Sequence, residues 1–158
     1  MKNVMDQLGF FKKEGFVKLT DLFTTDDKDV LRSECMKMIS QKPYVKMSNF
    51  DEFEFKYRMP VMKARDRLVL ENILGISSKV DNIMENFFSN PKLKYILENT
   101  LGKGYKLWSC GIRMSLTNSS QLGFHNDAIG ESGISILLED QVDEQGVTCL
   151  IPKSHRWP

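Results

Sequence analysis

The residues best suited to chemistry are His125, Asn126 and Asp127, which follow the turn-rich run Thr117-Asn118-Ser119-Ser120-Gln121 and sit between two strand-like patterns. In an extended segment, residues i and i+2 point to the same side with backbones roughly 6–7 Å apart, so an imidazole and a carboxylate converge on one ion. Two imidazoles and one carboxylate on one face of an octahedral ion leave the opposite positions open for cosubstrate and oxygen, the arrangement used by non-haem iron(II) oxygenases. Alone, the pair is a weak signal: two histidines and eleven aspartates in 158 residues give an H-x-D by chance about one time in seven. The competing reading is a loop histidine whose ring N–H is satisfied by a nearby aspartate.

The other histidine, His155, lies in Pro152-Lys153-Ser154-His155-Arg156. Ser154 and His155 raise a hydrolase reading, but a neighbouring serine and histidine in a turn do not supply the geometry of a nucleophile and its base. Cys35, Cys110 and Cys149 are odd in number, far apart and set in apolar patterns, so they read as reduced core residues rather than a zinc or disulfide framework. Trp108 also reads as core. Arg65-Asp66-Arg67 is either a solvated face or a basic clamp for an anionic substrate.

The elements that must position these residues divide into two halves. Val4, Leu8 and Phe11 mark a first amphipathic stretch, and Gly15-Phe16-Val17-Lys18-Leu19 reads as a short strand. Thr24 and Asp27 suit a capping box for a helix over 25–40, with Leu31, Cys35 and Met38 on one face. Residues 41–76 are broken by Pro43, Pro60 and Gly75; they read as a packed connection or a substrate-covering segment, with a hint of strand in Phe53, Phe55 and Tyr57. Ser78 can cap a helix with Val80, Ile83, Met84 and Phe87 on one face. Asn90-Pro91 opens another with Leu93, Ile96, Leu97 and Leu101, which Gly102 closes.

After Gly104 the period changes to two. Trp108, Cys110, Ile112, Met114 and Leu116 alternate with smaller or polar residues. Two further strands are expected over 133–138 and 146–151, joined by the acidic stretch 139–144. Helices followed by antiparallel strands predict an α+β class, as a single domain over 1–158 that is mainly helical to 103 and strand-rich from 104.

Composition narrows the function classes. Charged residues make up 27% of the chain and nearly cancel, to a net +1, so no global field draws it to nucleic acid or an anionic membrane. No apolar run approaches the roughly 18 residues of a membrane span, and Met1-Lys2-Asn3 does not open a secretory signal, so a cytoplasmic location is expected.

Taken in order, these features resemble the phytanoyl-CoA dioxygenase family of iron(II)- and 2-oxoglutarate-dependent oxygenases, across most of the chain. The likeness rests on Gly15 to Leu19 with its capped helix, the strand ending near Leu116, His125-Asn126-Asp127, and Gly146 to Ile151 followed by Pro152-Lys153-Ser154-His155-Arg156. Lys153 stands where the family usually has glycine. The resemblance implies helices packed on a cupin-like double-stranded β-helix, or jelly roll, with His125 and Asp127 as iron(II) ligands. Met114, on the 106–116 strand, and Ser135 would line the cosubstrate pocket, although ordinary strand packing accounts for both equally well. His155 matches a structural turn histidine.

The family's third ligand, a distal histidine, and its 2-oxoglutarate-binding arginine have no counterpart in these 158 residues. The sequence therefore reads as the front part of such an enzyme, whose jelly roll is incomplete and whose open edges favour instability or strand pairing. The expected reaction hydroxylates a small organic or acyl substrate with molecular oxygen, coupled to decarboxylation of 2-oxoglutarate to succinate. The alternative is a metal-free jelly-roll binding module or pseudoenzyme, and nothing in the sequence selects a substrate or oligomeric state.

Overall fold

A computed structural model describes residues 3–41, 44–46, 61–64, 67–70, 72–115, 123–125, 127, 129–142 and 147–157. Among these the chain is mixed helix and sheet. The helices are α1 (Val4–Glu14), α2 (Thr25–Gln41), α3 (Ser78–Ser89) and α4 (Pro91–Leu101), with a 3-10 turn at Ser154–Arg156. The strands are β1 (Tyr44–Lys46), β2 (Val61–Ala64), β3 (Arg67–Leu70) and β4 (Ile112–Ser115), in one sheet ordered β1-β2-β3-β4. No helix among the described residues is long and apolar enough to cross a membrane.

The chain forms two compact units, each assembled from separated segments. The first takes residues 1–24, 86–106 and 123–158; the second takes 25–85 and 107–122. In the first unit, α1 is capped by Asn3, whose side chain accepts from the Met5 N–H, and it meets α4. Asn90 accepts from the Lys92 N–H and Pro91 occupies the first turn of α4, so this start follows the sequence expectation. Leu93, Ile96 and Leu97 are buried on α4 and Leu8 on α1, while Phe23 stacks on Phe87 with centroids 4.6 Å apart.

The expected strand over 15–19 is absent, and Gly15 explains why. It adopts φ +87° as the left-handed cap of α1, its N–H closing on the Phe11 carbonyl at 2.8 Å. The neighbouring carbonyls are met by residues from the far end of the sequence: Lys153 N–H donates to Glu14 at 2.8 Å and the Arg156 guanidinium to Lys12 at 2.9 Å. The His155 ring covers Gly15 so closely that a β-carbon there would run into it. Arg156 Nε–H also donates to His155 Nε2 at 3.3 Å. Lys153 itself sits at φ +68°, the left-handed conformation that glycine adopts without penalty. The departure from glycine noted in the sequence is thus a local strain.

In the second unit, α2 begins where expected and runs one residue past residue 40, burying Leu31, Cys35 and Ile39; Met38 is half-buried. Three of the four strands fall inside 41–76, where the sequence offered a connection. β1 pairs parallel to β2, β2 antiparallel to β3 and β3 antiparallel to β4, with Leu68 opposite Met114. Leu68, Val69 and Leu70 are all buried. A strand covered on both faces loses the alternation by which strands are recognised, so β3 gave no period-two signal. The Phe50 to Tyr57 pattern, Arg65 and Asp66 lie outside the described residues.

Three smaller corrections follow. Ser77, not Ser78, caps α3, its hydroxyl accepting from the Val80 N–H at 3.3 Å. Trp108 is 91% exposed and Cys149 is exposed, so neither is core; among the described residues, strand pairing near Trp108 is limited to a bridge between Cys110 and Asn72. Residues 131–142 and 147–151 enter no ladder among the described residues, and Ile134, Leu137, Val142 and Leu150 are exposed there. Apolar alternation marks a strand only where another strand supplies the hydrogen bonds.

Two outcomes are expected. Gly15→Ala, forced to left-handed φ against His155, costs about 1–3 kcal/mol, whereas Lys153→Gly relieves strain and gains about 0.5–1 kcal/mol, both read by chemical denaturation. The second concerns Cys35, whose thiol is pushed up to about 11 by burial first, then by Cys110 and Glu34. Below about pH 9 the folded and unfolded thiols are both protonated, so the stabilisation is fully present. As pH rises towards 11 the unfolded chain loses that proton first and stability falls. Denaturation midpoints between pH 8 and 11 fall more steeply for the natural protein than for Cys35→Ala.

Candidate functional site

His125 and Asp127 belong to the first unit, and the structure brings their side chains together. His125 Nε2 stands 3.8 Å from Asp127 Oδ1, with the two side chains 58% and 59% exposed. The other ring nitrogen is engaged: His125 Nδ1 lies 3.0 Å from the Gly123 carbonyl oxygen. A carbonyl only accepts, so this hydrogen bond requires the proton on Nδ1 and leaves the Nε2 lone pair free in the neutral ring. In the neutral ring Nε2 is thus the nitrogen open to a metal ion; in the protonated ring it forms an ion pair with Asp127. Metal-binding histidines are commonly held in this way, with the outer N–H donated to a backbone carbonyl to fix tautomer and ring orientation.

The donor set can be tested against an octahedral ion. Two donors each about 2.1 Å from the metal and at right angles stand about 3.0 Å apart. The observed 3.8 Å therefore needs a closure of about 0.8 Å, within reach of a carboxylate turning about its side-chain torsions. A β-carbon placed on Gly133 would stand 3.2 Å from Asp127 Oδ2, so the glycine leaves the carboxylate its space. The imidazole and carboxylate fit two adjacent positions of a divalent cation. Among the described residues no third His, Cys, Asp or Glu joins them.

The remaining site expectations divide between the units. Ser135 is exposed in the first unit, and no hydrogen bond or ion pair joins it to the H-x-D pair among the described residues. Met114 belongs to the second unit, where it is half-buried on β4 while Arg113 and Ser115 are exposed; the expected alternation of that strand is present. His155 is engaged in the turn against α1. Its Nε2 accepts from Arg156, which removes the free base that a Ser154 nucleophile would require. The Gly123 carbonyl and Gly133 were invisible to motif reading, since neither a main-chain oxygen nor the lack of a side chain forms a spacing pattern with a histidine.

Comparison of the chain with protein-family models, curated proteins and solved structures finds no match in any of the three.

The His125 geometry has a direct spectroscopic consequence. In the metal-free protein with a neutral ring, nitrogen-15 NMR shows the Nδ1–H tautomer at His125. An Nε2–H tautomer there would contradict the bond to Gly123.

Proposed function

We propose that this chain is the front part of an iron(II)- and 2-oxoglutarate-dependent dioxygenase resembling the phytanoyl-CoA dioxygenase family. His125 and Asp127 are two of its metal ligands. The observation that carries the reading is the placement of the two donors: His125 Nδ1 lies 3.0 Å from the Gly123 carbonyl oxygen, which leaves Nε2 as the ring nitrogen 3.8 Å from Asp127 Oδ1.

Bound iron(II) would supply oxidative chemistry with molecular oxygen and 2-oxoglutarate, hydroxylating a small organic or acyl substrate. The protein's own part is electrostatic and geometric. Asp127 contributes negative charge, His125 a neutral donor, and together they favour a divalent cation over bulk water. Ser135, in the same compact unit as the pair, is the proposed lining of the cosubstrate pocket. A third ligand and an arginine for the 2-oxoglutarate carboxylate would come from sequence following Pro158, together with strands to complete a jelly roll. The exposed apolar residues Ile134, Leu137 and Leu150 lie outside any ladder among the described residues and suit a surface covered by further chain.

The more-than-half exposure of both His125 and Asp127 side chains also suits a second reading, a metal-free binding module in which the two form a surface pair. The readings separate on one assay. The dioxygenase predicts that the reading frame continues into a distal histidine followed by an arginine, and that the full-length protein consumes 2-oxoglutarate only with iron(II). His125→Ala and Asp127→Ala then each lower turnover at least about 100-fold, since each removes one of a small set of ligands. Full turnover in His125→Ala refutes the assignment, and iron-independent behaviour throughout supports the binding module.

A further inference from the structure

We infer that Gly133 is a positioning residue for the metal-binding pair, leaving the space in which the Asp127 carboxylate turns to close on a divalent cation; this rests on the metal reading above. A β-carbon at 133 would approach Asp127 Oδ2 to 3.2 Å, inside ordinary contact distance. Conformation does not explain the glycine, because Gly133 is absent from the positive-φ positions that require one. What a side chain lacks there is room, and the atom that denies it is a carboxylate oxygen. The neighbouring glycines differ: Gly130 has φ +87° with open space around its Cα, and Gly123 has nothing within 4 Å of an added β-carbon.

The direction of the effect follows from the separation of the donors. His125 Nε2 and Asp127 Oδ1 are 3.8 Å apart and must close to about 3.0 Å to share adjacent positions on one ion. Closure turns the carboxylate, whose Oδ2 is the atom that a β-carbon at 133 would touch. A methyl group there restricts that turn; branching at the β-carbon restricts it further. Without a metal, the half-exposed carboxylate yields by a few tenths of an ångström into solvent at little cost, so the effect falls on metal affinity rather than on folding.

The test is a titration of the full-length protein with Mn(II) alone, read as free Mn(II) by electron paramagnetic resonance, alongside metal-free melting curves. Gly133→Ala weakens binding about 10-fold and Gly133→Val more, as changes around the ligands of a metal site do. Gly9→Ala, in α1 where an added β-carbon meets nothing within 4 Å, binds as the natural protein does, and the metal-free melting midpoint of Gly133→Ala is unchanged. If Asp127→Asn loses Mn(II) while Gly133→Ala retains natural affinity, the role of Gly133 is refuted and the metal site stands. A lowered metal-free midpoint in Gly133→Ala also refutes it, by showing a packing role. If the natural protein does not bind Mn(II), the metal reading fails and the inference with it.

Discussion

The carbonyl end of α1 cannot satisfy itself, and the first compact unit is arranged around how it is satisfied. The last turn of any helix leaves carbonyls without intrahelical donors and gathers partial negative charge. Here Gly15 supplies one donor, Lys153 another, and the permanently charged Arg156 a third, placing a cation where the helix dipole favours it. His155 lies over Gly15, the one residue type with no β-carbon to obstruct it. The two sequence segments that carried the family likeness at opposite ends of the chain are therefore packed against each other. The left-handed strain at Lys153 is the local cost of presenting its N–H to Glu14.

The helices were legible because their signals are local. Asn90-Pro91 before α4 and Gly102 after it act through hydrogen bonds a few residues long, and the apolar spacing of α2 reports directly on its buried face. Strands depend on partners that the local sequence does not name. Leu68-Val69-Leu70 is an interior strand without alternation, whereas 133–138 has strand composition but enters no described ladder. Trp108 shows the same limit for burial, since its apolar type says nothing of whether another element covers it. The Gly15 segment misled for a sharper reason: its apolar run follows a helix cap, and the glycine that opens it ends one element rather than beginning another.

At the candidate metal pair, residue types and spacing were legible, but their preparation was not. An H-x-D states which donors are present. The bond from His125 to the Gly123 carbonyl states which nitrogen is free, and the proximity of Gly133 to Asp127 states how much room the carboxylate has. Both are properties of backbone position. A backbone that orients a ring nitrogen and leaves room for a carboxylate is how a metal site gains affinity without gaining a ligand.

Lys12 and Arg156 meet across 144 positions of sequence. On a ribosome, α1 emerges early and its last carbonyls then face water until the turn at 152–157 has been synthesised. Such long-range closure places the completion of the first unit late, after the chain has passed four times between segments of the two units. The last turn of α1 is finished only when the turn 144 positions later has been made, and the segments in between must remain soluble while it waits.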